Sequence, residues 1–203
     1  MTEDRLYYEN AAYRAGKRAV CGIDEAGRGP LAGPVFAAAV VLPPGLVIDG
    51  VDDSKKLIPK KREELFGVIE EKAVAYGIGF ATENEIDEIN ILQATFLAMK
   101  RAYLALGAPC DLALVDGDRK PDLGVDTQTI IKGDSLSESI AAASILAKVT
   151  RDRLMREIDS LYPEYEFAKH KGYGTKRHIE LLKKYGPCPV HRKTFLKKIL
   201  GEG

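Results

Sequence analysis

Apolar residues recur along this chain with two different periods, and the switches between them mark its elements. Residues 1–16 make an amphipathic lead-in carried by Leu6, Tyr7, Tyr8 and Tyr13. Residues 18–24 read as a first strand, short and apolar until it meets Asp24 and Glu25. A connection from Pro30 to Pro34 leads into 35–42, an unbroken apolar run that reads as a buried second strand, stopped by Pro43-Pro44-Gly45. Pro59 stands where a first helical residue belongs, and 60–72 follows as a helix with Leu65, Phe66 and Ile69 on its buried face. Residues 73–81 alternate, with Val74, Tyr76, Ile78 and Phe80 as the apolar set, and predict a third strand.

Two capping signatures come next. Thr82 with Glu85 starts a short helix, and Asn90 with Gln93 starts a longer one, striped by Leu92, Phe96, Met99, Tyr103 and Leu106. Gly107 and Pro109 end it. Leu112-Ala113-Leu114-Val115-Asp116-Gly117 repeats the opening design, an apolar strand that finishes on a carboxylate beside glycine. Residues 127–131 are a fifth strand. Ser135 with Glu138 predicts a capping box for a long helix that stops before Pro163. The small face of that helix (Ser139, Ala141, Ala142, Ala143, Ser144, Ala147) suits close packing on a sheet. The pattern predicts one α/β domain over 1–203, a central mixed sheet with flanking helices, and a helical C-terminal part from about 163 to 203.

Composition narrows the classes. A hydrophobic content of 45% is enough to bury a core, so a disordered chain is excluded. No apolar run is long enough to span a membrane, and Met1-Thr2-Glu3-Asp4 does not read as a signal peptide. Cys21, Cys110 and Cys188 are an odd count with no Cys-x-x-Cys, which predicts reduced thiols in a cytoplasmic protein rather than a zinc site or disulfides. The net charge of zero hides an asymmetry. Residues 1–147 hold 16 Lys/Arg against 23 Asp/Glu, a net of −7, whereas 148–200 hold 14 against 6, a net of +8. An acidic part with a basic end suits a protein that holds metal in one region and phosphate backbone in the other; ordinary solvated helix surface is the plainer alternative.

The candidate chemistry lies at strand ends, where α/β sheets assemble their sites. Asp24 and Glu25 end one strand, Asp116 ends another, and Asp134 follows 18 residues later at a helix start. Gathered carboxylates repel and raise one another's pKa unless a cation neutralises them. Oxygen ligands without neighbouring histidine or cysteine favour Mg²⁺ or Mn²⁺. A pair of such ions activates water and stabilises the leaving oxygen of a phosphodiester. Taken singly, Asp116 is also readable as a surface turn and Asp134 as a capping acid. Gly27-Arg28-Gly29 follows the first acids and lets backbone run close to a ligand. A phosphate loop of the nucleotide-hydrolase type fits less well, because no Gly-Lys-Ser/Thr closes this one and Pro30 and Pro34 interrupt the helix that should follow.

These residues together resemble bacterial ribonuclease HII. The resemblance rests on Asp24-Glu25-Ala26-Gly27-Arg28-Gly29, Asp53-Ser54-Lys55, Val115-Asp116-Gly117, Lys132-Gly133-Asp134, 142–148, His170-Lys171-Gly172-Tyr173-Gly174-Thr175 and His191-Arg192-Lys193-Thr194-Phe195, in the family's order over roughly 17–196. It implies a ribonuclease H-like fold with a five-stranded mixed sheet. It also implies an endoribonuclease that cuts the RNA strand of RNA–DNA hybrids and nicks duplex DNA 5′ of single embedded ribonucleotides, leaving 3′-hydroxyl and 5′-phosphate ends. The implied ligands of two Mg²⁺ or Mn²⁺ ions are Asp24, Glu25, Asp116 and Asp134. Gly27, Arg28 and Gly29 are implied to read the 2′-hydroxyl, Tyr173 to pack on the next sugar, and Lys55 to meet a phosphate. A monomer is expected. Lys148, His191 and Arg192 receive no role. Ribonuclease HIII resembles the chain less, having lysine where Arg28 stands. Ile58 departs from the family's usual polar helix cap, and the chain lacks a long extension after Phe195. The rival readings are a non-catalytic nucleic-acid-binding module and another nuclease of the same fold.

Overall fold

The computed structural model describes residues 4–201. Of the amphipathic lead-in, residues 1–3 lie outside the described part, and the rest contains a helix, α1 (Tyr7–Arg14). The sheet is built from β1 (Val20–Ala26), β2 (Val35–Val41), β3 (Ala75–Ala81), β4 (Leu112–Asp116) and β5 (Thr127–Ile130), in the order β3-β2-β1-β4-β5. β3, β2 and β1 pair antiparallel, while β1, β4 and β5 pair parallel, so the sheet is mixed as expected. β1 outruns its predicted end. Its pairing with β2 continues to Ala26 opposite Phe36, which puts Asp24 and Glu25 inside the strand and on opposite faces.

Helices cover both faces. α2 (Pro59–Lys72) starts on Pro59 and buries Leu65, Phe66 and Ile69. α3 (Glu83–Ala105) carries both predicted caps. Thr82 and Glu85 form the full capping box, and Asn90 breaks the helix at φ 66° while its Oδ1 accepts from the Leu92 and Gln93 amides. α4 (Gly133–Leu136) is a single turn that presents Asp134. α5 (Glu138–Leu161) lays its small residues on the centre of the sheet. The contact is so close that a β-carbon on Gly22 would sit 2.1 Å from the Ser139 carbonyl carbon. Across the sheet, β-carbons on Gly77 and Gly79 would sit 2.3 and 2.4 Å from the Ala102 and Ala98 carbonyl oxygens of α3.

The strand expected over 73–81 forms as β3, but its large apolar residues are not its most buried ones: Val74, Tyr76 and Phe80 are exposed, Ile78 is half-buried against the α2 and α5 side, and Gly77, Gly79 and Ala81 are buried. The helix α3 approaches too closely for anything larger, and a hydropathy pattern weighs bulk rather than fit. The cap of α5 is Ser137, whose hydroxyl accepts from the Ile140 amide, and not Ser135. Glu138 turns away to accept from the Ile48 amide at 2.9 Å and from Arg5 at 3.0 Å.

A 3₁₀ turn (Pro163–Tyr165) leads to α6 (Phe167–His170), α7 (Lys176–Tyr185) and α8 (Lys193–Leu200), the helical C-terminal part, of which residues 202–203 lie outside the described chain. It packs as a satellite core of Met155, Tyr165, Phe167 and Leu181 against Ala32. A bridge between Ala32 and His191 ties it to the loop after β1. Among the described residues, no helix is long and apolar enough to cross a membrane.

Candidate active site

Parallel pairing of β1 with β4 brings the two acid-bearing strands side by side, with Ile23 opposite Val115. Asp24 and Asp116 therefore emerge from neighbouring strands at one end of the sheet. Backbone groups orient them. Asp24 Oδ1 accepts from the Glu25 amide at 2.7 Å, and Asp116 Oδ1 accepts from the Gly133 amide at 2.7 Å. The second bond joins the end of β4 to the start of α4 and so carries Asp134 to the group. Lys132, in the left-handed region at φ 59°, makes that turn. The Lys55 ammonium lies 3.6 Å from Asp134 Oδ2, and the Arg28 guanidinium lies 3.5 Å from Glu25 Oε1.

Crowding sets the electrostatics. Burial first, then Glu25 and Asp116, holds the Asp24 carboxyl well above the usual carboxylate range. Burial raises Glu25 against the pull of Arg28, and burial together with Asp134 raises Asp116. Lys55 moves upward although burial opposes it, because Asp24, Asp134, Asp53 and Asp116 all favour its charge. Such a group gains most from a hard cation, which would neutralise acids that repel one another. Among the described residues, no three His, Cys, Asp or Glu side chains converge as a ready-made metal cage. The acids are instead turned toward local donors, and each retains acceptor capacity, since a carboxylate offers about four lone-pair sites. The oxygen-only donor set fits Mg²⁺ or Mn²⁺, with Asp24, Glu25, Asp116 and Asp134 as the residues that would hold it.

Two cavities meet at the Glu25–Arg28 pair. One, of about 370 Å³, is lined by Asp116, Arg119 and the apolar Leu92, Phe96 and Met99 of α3. The other, of about 220 Å³, is lined by Gly27, Gly29, Ser54, Lys55, Lys148 and Tyr173. Tyr173 is 42% exposed, so its ring faces the cavity and not the core. A β-carbon on Gly29 would lie 3.8 Å from Tyr173 Cε1, which makes ring and loop direct neighbours. The structure thus brings together every residue the sequence nominates: four acids, Gly27, Arg28, Gly29, Lys55 and Tyr173.

Sequence reasoning missed what holds the loop. Arg151 and Arg192, part of the basic end assigned to phosphate backbone, are fully buried. Arg192 donates to the carbonyls of Gly27 at 2.6 Å, Gly33 at 2.8 Å and Arg28 at 3.0 Å. Arg151 donates to Pro34, Lys171 and Ala32. Burial pushes both guanidinium pKa values down, and a full set of carbonyl acceptors offsets that cost. Gly27 has φ 99°, and a β-carbon there would meet Arg151 Nε at 2.1 Å, so only glycine fits between turn and clamp. The one available signal was position: Arg192 sits inside a motif that offers no neighbouring acid to pair with it.

Comparison with known proteins agrees with the geometry. The model of the family described as Ribonuclease HII matches residues 21–198. The Ribonuclease HII of Caldicellulosiruptor bescii is 58% identical over 202 residues, spanning 98% of each chain. Among solved structures, the ribonuclease H2 from Pyrococcus horikoshii OT3 superposes with a TM-score of 0.75 at 30% identity, covering 91% of this chain and 98% of that one. Bst-RNase HIII in complex with Mn²⁺ shares the fold, with a TM-score of 0.71 at 18% identity, covering 95% and 72%. With acids, loop and tyrosine assembled on this sheet and a family model matched over nearly its whole length, the chain belongs to the ribonuclease HII family, endoribonucleases of the ribonuclease H class.

Proposed function

We propose that this chain, acting as a single-domain cytoplasmic monomer, cuts the RNA strand of RNA–DNA hybrids and nicks duplex DNA 5′ of a single embedded ribonucleotide, leaving 3′-hydroxyl and 5′-phosphate. The observation that carries the reading is the junction of the acid cluster with the cavity formed by Gly27, Gly29, Lys55 and Tyr173. Asp24, Glu25, Asp116 and Asp134 hold two divalent ions, Mg²⁺ or Mn²⁺, the latter being the ion bound in the Bst-RNase HIII structure. Bound there, the ions supply an activated water and stabilisation of the leaving oxygen.

The chain's own groups do the rest. Lys55 balances the charge of Asp134 and meets a phosphate. The backbone around Gly27-Arg28-Gly29 pairs with the 2′-hydroxyl, the one group separating RNA from DNA at a given position. A deoxynucleotide leaves those backbone groups unmatched, at a cost of roughly 1–3 kcal/mol each. Tyr173 packs its ring on the following sugar and favours deoxyribose there, so an RNA–DNA junction is preferred. A purely binding module gains nothing from four acids set beside phosphate, which counts against that alternative.

The test is cleavage of a labelled duplex holding one ribonucleotide, with every product mapped in Mg²⁺ and in Mn²⁺. A single metal-dependent nick on the 5′ side with a 3′-hydroxyl end is expected. Cleavage on the 3′ side, or equal cutting of an all-DNA duplex, would overturn the reading.

A further inference from the structure

All three histidines of the chain lie behind Tyr173, and their hydrogen bonds leave no freedom in where the protons sit. His178 Nδ1 is 2.9 Å from the Tyr173 carbonyl. A carbonyl only accepts, so Nδ1 carries the proton and Nε2 is bare. The Cys188 amide donates to His191 Nδ1 at 3.0 Å, so that nitrogen is bare and His191 Nε2 carries the proton. The two Nε2 atoms face each other at 3.1 Å, one with a proton and one without, and the pair closes. His170 obeys the same logic: the Gly172 amide donates to its Nδ1, and its Nε2–H donates to the Tyr165 carbonyl at 2.8 Å. Its ring stacks on His178 with centroids 4.3 Å apart. His178 and His191 are 0% and 2% exposed, so water cannot replace a lost partner.

The relay does not end on an arbitrary carbonyl. His191 and Arg192 are consecutive. Arg192 clamps the Gly27, Arg28 and Gly33 carbonyls, and its own amide donates to Leu31. His191 reaches the Tyr173 carbonyl through His178. One dipeptide therefore ties down both walls of the cavity, loop on one side and tyrosine on the other.

We propose that His178 and His191, in their fixed neutral tautomers, are positioning residues that set Tyr173 against the Gly27-Arg28-Gly29 loop and so set the discrimination of a single ribonucleotide. The proposal rests on the reading of Tyr173 as a substrate contact. The proton order can be tested without it. Imidazole ¹⁵N spectra at pH 7 are expected to show His178 protonated on Nδ1 and His191 on Nε2, both neutral. The opposite tautomer or an imidazolium at either ring would overturn the relay.

The functional arm compares kcat/KM for a single embedded ribonucleotide with that for a long hybrid. His178→Phe keeps the ring volume and removes the side-chain donor, leaving the Tyr173 carbonyl with only the Thr175 amide at 2.8 Å; it is expected to lower that ratio about tenfold, the cost of one lost hydrogen bond. His178→Asn, whose amide nitrogen stands in for Nδ1–H, restores most of it. If His178→Phe does not fold, His191→Gln and His191→Leu carry the same comparison, with Gln retaining the ratio and Leu losing it. A folded His178→Phe or His191→Leu with an unaltered ratio would overturn the proposal, provided Tyr173→Ala lowers it. Equal losses on both substrates for Tyr173→Ala would instead remove the reading of Tyr173, and the ¹⁵N spectra then decide the relay alone.

Discussion

The acid cluster at the ends of β1 and β4 and the basic C-terminal part treat buried charge in opposite ways. In the first, Asp24, Glu25 and Asp116 are crowded, raised in pKa and left with acceptor capacity. In the second, Arg151 and Arg192 spend their donors on backbone carbonyls, and each histidine has a partner at both ring nitrogens. Charge left wanting is available to a ligand, whereas satisfied charge is a strut. The formal charge asymmetry of the chain conceals this difference, because two of the 14 basic residues over 148–200 never meet solvent.

The comparison breaks most visibly at Arg192. Arg192→Met orphans the carbonyls of Gly27, Arg28 and Gly33. The buried orphans, on Gly27 and Gly33, cost about 1–3 kcal/mol each, so a loss of about 3 kcal/mol is expected in chemical denaturation. Arg192→Lys is expected to rescue little, since a point ammonium does not reproduce the fork. A loss below 1 kcal/mol would mean that the loop holds itself.

The acid side should respond in the opposite sense. Asp24→Asn or Asp116→Asn is expected to lower the cleavage rate by at least about 10²-fold, as a metal clamp is worth several kcal/mol. The same changes should raise the melting temperature in chelator, because they remove a raised carboxyl from a crowded group. An Asp116→Asn protein that cleaves normally at low Mg²⁺ would place the site elsewhere.

Acid sharpens the contrast by sign. Burial first lowers His178 and His191, each to about 4. The unfolded rings titrate near 6.5, so between about 6.5 and 4 the unfolded chain binds more protons, and stability falls as pH falls. The expected loss is about 1 kcal/mol per ring between pH 6.5 and 5.5. The raised carboxyls work the other way, gaining from protonation. A His178→Phe protein with the same acid slope as the parent would show that the histidines do not set it.

The smallest effect concerns the surface. Lys183 and Lys184 are exposed on α7, and Lys197 and Lys198 on α8. Replacing Lys183 and Lys184 with Gln is expected to flatten the slope of log affinity for hybrid against log salt by up to about 2, at about 0.9 per phosphate contact. Binding that does not vary with salt would mean that the exposed lysines of this region only keep the surface solvated.

Much of this protein was legible before any fold was in view. Strands, helix starts and breaks are local matters: alternation, Pro59 at a first turn, Thr82 and Asn90 at caps. The acids and the Gly27-Arg28-Gly29 loop were legible too, because a carboxylate within or at the end of an apolar strand is a local contradiction visible in the sequence. What lay beyond reach depends on distance in the chain. The inward face of β3 is decided by how closely α3 approaches, and the cap of α5 by which serine the packed α4 turn leaves at its start. The burial of Arg192 depends on carbonyls 159 to 165 positions away, and the proton order of the histidines depends on amides and carbonyls that only the packed C-terminal part places beside them. Hydropathy and motif record what a residue is. Whether its charge is a ligand, a strut or a surface is settled by the partners that folding brings to it, and that the tertiary structure alone decided.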